Sequence, residues 1–201
     1  MAAAAISFPA ASQMSADHLG GVSSDAACQL KTTMRKLWED HVTWTRNVIL
    51  CLTDDLPGGD QAVKRLLKNQ DDIGNAVKTF YGEAGGKELT RLLREHITTA
   101  ADLLKAAKTG NNSAFDAANK KWSANADEIS DFLSKANPNW KLNDMKKMMH
   151  DHLALTTDEA VARLKKDYAA DVKAYDKVHN EILMMADMLT DGIIKQFPGK
   201  F

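Results

Sequence analysis

Cysteine and proline are scarce in this chain of 201 residues, with two of the first and four of the second. Cys28 and Cys51 are too few for a disulfide framework or a thiolate zinc site. Proline stands only at positions 9, 57, 138 and 198, so two long stretches are free to be helical. No uncharged apolar run approaches the ~20 residues of a membrane-spanning helix. No segment keeps the period of two that marks a strand. Excess charge is missing too: 26 Lys and Arg against 27 Asp and Glu leave a formal net charge of −1. That balance supplies no global attraction to nucleic acid or an anionic membrane. Residues 1–30 contain no Lys or Arg. A secretory signal would open on one and a transit peptide would carry arginines. The segment reads as a disordered tail before a single domain at 31–201. Cytoplasm is the default location, with export the lesser option. Catalytic signatures are equally thin, with neither a nucleophile elbow nor a dinucleotide fingerprint. The run Gly82–Lys87 resembles a phosphate loop, but Tyr81 and Glu88 stand where that loop needs Gly and Ser or Thr. It reads as a turn.

What is present is helical periodicity. Met34, Leu37, His41, Trp44, Val48 and Cys51 recur at three and four, on one side of a helix from about Lys31 to Asp54. Pro57-Gly58-Gly59 breaks the chain. A second stripe holds Leu66, Asn69, Ile73, Ala76 and Phe80, and stops at Gly82, Gly85 and Gly86. A third holds Leu89, Leu93, His96, Ala100 and Leu103. A fourth holds Phe115, Ala118, Trp122, Asn125, Ile129 and Phe132, ending before Pro138. A short fifth helix carries Leu142, Met145, Met149 and His152. Thr156 and Glu159 form a capping-box pattern that predicts the start of the last and longest helix. Its stripe reads Val161, Leu164, Tyr168, Val172, Tyr175, His179, Ile182, Ala186, Leu189 and Ile193. The expected fold is all-α, an antiparallel bundle of about five to six helices with a long C-terminal helix, because short links make successive helices neighbours.

Polar residues interrupt these stripes at matching heights. His41 and His96 each lie 13 residues before the ends of their helices, near Asp54 and Thr109, and Asn125 lies 12 beyond Ser113. Asn69 and Asp72 are also near mid-helix. A polar layer across the bundle follows. Inward imidazoles and carboxylates from different helices are how bundles hold metals, so one Zn, Fe, Cu or Ni ion is expected at His41, His96, His152 and Asp176. Asn125, Asn69 and Asp72 would orient the ligand rings. His152 and Asp176 compete for this role, since the predicted last helix puts Asp176 ~28 Å along its axis. A non-covalent haem between His41 and His96 is a further option. The alternative reading is structural. Buried His and Asn can simply fix helix register, in a module that packs on another copy or a helical partner.

The segments DHVTWTR, KNQDDIGNA, REHI, WSANADEI, HLALTTDEAVARL and the late QF carry a resemblance. Over about residues 31–197 the chain resembles a family of small bacterial all-helical proteins of unknown function, loosely labelled as transferases or kinases. The resemblance implies a bacterial-type bundle and carries over no catalytic residue.

Overall fold

The computed structural model describes residues 25–201. The reading of residues 1–24 as a tail lies outside them. Five helical elements follow one another: α1 (Asp25–Thr53), α2 (Gly59–Thr109), α3 (Asn112–Ala136), α4 (Leu142–Leu164) and α5 (Tyr168–Gln196), then a 3-10 turn at Pro198–Lys200. The described residues contain no strand. Residues 25–30, read from the sequence as tail, form the opening of α1, where Ala27 is buried.

The second element doubles back at Gly82, whose φ of 74° is open to glycine at little cost. Its two arms, 59–81 and 83–109, run antiparallel: Arg94 on the second donates to the Leu67 carbonyl and to Asp71 on the first, at 3.2 and 3.1 Å. The arms meet backbone to backbone, for a Cβ on Gly74 would lie 2.7 Å from the Gly86 carbonyl oxygen. Six rods therefore form the bundle. Successive rods pack as hairpins, and α5 returns against α1 to close the ring. Their inward stripes supply the core, with Met34, Ile73, Leu92, Ile129, Met145 and Ile182 almost fully buried.

A second boundary differs from its sequence expectation. The chain passes through Thr156 and Glu159 without a break, and α4 ends only at Leu164. Lys166 then turns with a φ of 60°, and Asp167 accepts from the Ala170 amide at 3.0 Å to cap α5. A capping box works only where its side chains can reach free backbone amides. Here Thr156 is buried and Glu159 is held by Arg46, so tertiary packing overrides the local signal. The shifted start changes the phase of α5. Tyr168 and Val172, expected inside, are exposed.

Candidate functional site

Three imidazoles meet at the centre of the ring. His41 comes from α1, His96 from the second arm of α2, and His152 from α4, and all three are buried. The His152 ring centre lies 5.9 Å from that of His41 and 6.4 Å from that of His96. Each ring is engaged at Nδ1 by a different neighbour. His96 is 2.9 Å from Asn125 Oδ1, His152 is 2.8 Å from Glu181 Oε2, and His41 is 3.3 Å from Gln70 Nε2. Helix register explains these partners, since each pair sits symmetrically about the turn joining its two rods.

Hydrogen bonding fixes the tautomers. Amide and carboxylate oxygens only accept, so His96 and His152 carry their proton on Nδ1. The Trp122 indole N–H donates to His96 Nε2 at 3.2 Å, which satisfies both nitrogens of that ring. His41 is held more loosely. The Gln70 amide nitrogen has two hydrogens but faces three acceptors: the Leu66 carbonyl at 2.8 Å, Asn69 Oδ1 at 3.0 Å and His41 Nδ1. Gln70 Oε1 is buried without a partner among the described residues. Burial, then the neighbouring His152 and His96, hold His41 well below the ordinary histidine range. Burial and His152 bring His96 down to about 3, against the pull of Asn125.

Several residues singled out in the sequence belong here and others do not. His41, His96, His152 and Asn125 share the layer, and Asn69 joins it, donating to the Leu37 carbonyl at 2.9 Å and accepting from Gln70. Asp72 instead pairs with Lys68 outside the bundle. Asp176 lies exposed on α5. The carboxylate that meets His152 is Glu181, which sequence counting missed because it began α5 too early. Measured from the true turn at Lys166, His152 and Glu181 are 14 and 15 residues away on either side. Gln70 was hidden beside Asn69, just off the chosen stripe. Among the described residues no group of three or more His, Cys, Asp or Glu is arranged to hold a metal ion as it stands.

Above the layer lies a partly enclosed apolar chamber of about 60 Å³, lined by all the rods except α5. Val48, Ile49, Leu66, Ile97 and Leu104 supply its walls, and Trp122 joins it to the histidines. Beyond it, the end of the bundle is closed by ions. Arg46 of α1 grips Asp171 through both amino groups at 2.8 and 3.0 Å and reaches Glu159 at 2.7 Å. Arg163 contacts Asp171 at 3.3 Å and also pairs with Asp54. Burial, opposed by Arg46, lifts Glu159 to about 7.

No helix among the described residues is long and apolar enough to cross a membrane. No family model, curated protein or solved structure matches the chain.

Proposed function

We propose that the layer binds one transition-metal ion through Nε2 of His41, His96 and His152. The supporting observation is the arrangement at the far side of each ring: three buried imidazoles on three rods, each engaged at Nδ1 by Gln70, Asn125 or Glu181. Such contacts orient metal-ligating histidines and fix their tautomers. Neutral imidazole suits Zn, Fe, Cu or Ni, and three protein ligands leave one position for another group. Glu181 replaces Asp176 as the acidic member of the set, acting through His152 rather than on the ion. Binding requires two local adjustments. The Trp122 indole must release His96 Nε2. The Gln70 amide must turn over so that Oε1 accepts from Nδ1–H of His41, which leaves Nε2 free to ligate.

The test is a titration of tag-free, chelator-treated protein with Zn(II), followed by thermal melting and metal analysis. One equivalent should bind and raise the melting temperature, as any ligand specific to the native state does. His96→Ala and His152→Ala should abolish the rise, whereas exposed His150→Ala and Asp176→Ala should leave it intact. Glu181→Gln should weaken binding by about 10- to 100-fold. Trp122→Phe, which frees His96 Nε2, should tighten it. If metal-treated and metal-free protein melt together for Zn, Fe, Cu and Ni, the layer is a register device and the metal reading is wrong.

A further inference from the structure

Protein interiors are packed to the density of organic crystals, and voids larger than a water molecule are few. The void bounded by Trp38, Leu133, Trp140 and Ile193 is of the ordinary kind, at about 10 Å³. That is close to the space of one water. The chamber above the histidines is larger, at about 60 Å³. Ala100, Ala101, Ala107 and Ala160 stand on its wall, where a larger side chain would reduce it. Left empty, a cavity destabilises a core in proportion to its volume.

The lining leaves a polar occupant nothing to bind. It contains no charged residue, amide side chain or histidine. Thr45 and Thr157 donate back to carbonyls of their own helices at 2.8 Å, and the Trp122 N–H is engaged by His96. The Thr156 hydroxyl oxygen is shut away in the packing. Any polar group brought in would lose its hydration with nothing in return, whereas apolar surface gains by leaving water. The chamber is only partly enclosed. Ala107, Phe115, Ala160 and Leu164 on its wall are half-buried, and they belong to the end of α2, the start of α3 and the end of α4, which places the opening between those helices. We infer that the chamber holds the end of an unbranched alkyl chain, with the rest of the chain leaving through that opening. Scaled against the ~150 Å³ cavity that takes the six carbons of benzene, about two or three carbons fit inside. The inference stands apart from the metal reading, since no wall residue of the chamber is a ligand to the ion.

The isomers n-pentane and neopentane test it as a pair, being similarly apolar and differing in the shape of their ends. Each is titrated into chelator-treated protein while the methyl resonances of Val48, Ile49, Ile97 and Leu104 are followed by NMR. n-Pentane should shift these signals saturably and leave Leu133 and Ile193, beside the smaller void, unmoved. It should bind about tenfold more tightly than neopentane, whose blunt ends cannot seat a second and third carbon. Ala107→Leu and Ala160→Leu narrow the chamber from different helices, and each should abolish the n-pentane shifts. The proposal is overturned if those shifts are linear or scattered over the bundle, if the two isomers bind equally, or if the shifts survive in both variants. Saturable binding of xenon with no binding of n-pentane would equally overturn it, since the chamber would then be a closed void. The protein is free of metal throughout, so failure here leaves the Zn(II) titration untouched, and a failed Zn(II) titration leaves this result standing.

Discussion

Burying an imidazole costs little while it is uncharged, and a great deal once it takes up a proton beside two others. His41 and His96 both fold with pKa values beneath the ~6.5 of an unfolded histidine, His96 at about 3 and His41 well down as well. The unfolded chain therefore binds more protons as the pH falls. Their stabilisation is complete above about pH 6.5 and is lost below it. Glu159 works in the opposite sense. Its folded value of about 7 lies above that of an unfolded glutamate, so the folded chain holds that proton while the unfolded chain releases it. Between pH 6.5 and 5 two histidines oppose one glutamate, and the balance is a net loss on the order of 1–2 kcal/mol. Urea unfolding at those two pH values measures it. His96→Gln should bring the two stabilities level. A wild-type protein equally stable at both would mean that the imidazoles are not buried in their neutral form.

At the scale of the helix, much was legible because it rests on local chemistry. Gly82 and Asn137-Pro138 break the chain where their backbone preferences require it, and the apolar stripes from Met34 to Phe132 pack against the core as their spacing implies. His41, His96 and Asn125 could be placed at one height because their helix ends were correctly located. The α4–α5 turn was illegible for the converse reason. Thr156 and Glu159 carry a strong local start signal, and only partners distant in sequence, above all Arg46, show that the signal goes unused. One misplaced turn then displaced the carboxylate assignment from Glu181 to Asp176. The real turn carries a cost of its own. Lys166 adopts φ 60°, a left-handed conformation that strains any residue with a Cβ by about 1–2 kcal/mol. Glycine avoids that strain but gains freedom in the unfolded chain. Lys166→Gly should therefore raise stability by roughly 0.5–1 kcal/mol, read as a higher melting temperature. A lower one would mean that the lysine side chain holds the turn.

For the whole molecule, the ring of six rods is pinned at one end by charge and filled elsewhere by apolar packing. Asp171 is the pivot: it is 1% exposed and bonded to Arg46 of α1 and Arg163 of α4, so three helices meet on one carboxylate. Two partly buried guanidinium groups depend on it, although Glu159 and Asp54 remain to share the positive charge. Removing one member of such a group leaves the others desolvated and short of partners, which typically costs about 3–5 kcal/mol. Because the remaining carboxylates compensate in part, Asp171→Ala should fall near the lower limit, about 3 kcal/mol. A pair on the outside of the same helix α1 provides the contrast. Lys36 and Asp40 meet at 2.7 Å, but the lysine is 71% exposed, and a solvated pair of this kind contributes at most about 1 kcal/mol. Lys36→Ala should therefore cost well under half of what Asp171→Ala costs, and added salt should shrink its effect further. Chemical denaturation of the two variants at low and high ionic strength compares them directly. Equal costs would mean that the buried network does not hold that end of the bundle together, and that the packing of α1, α4 and α5 suffices without it.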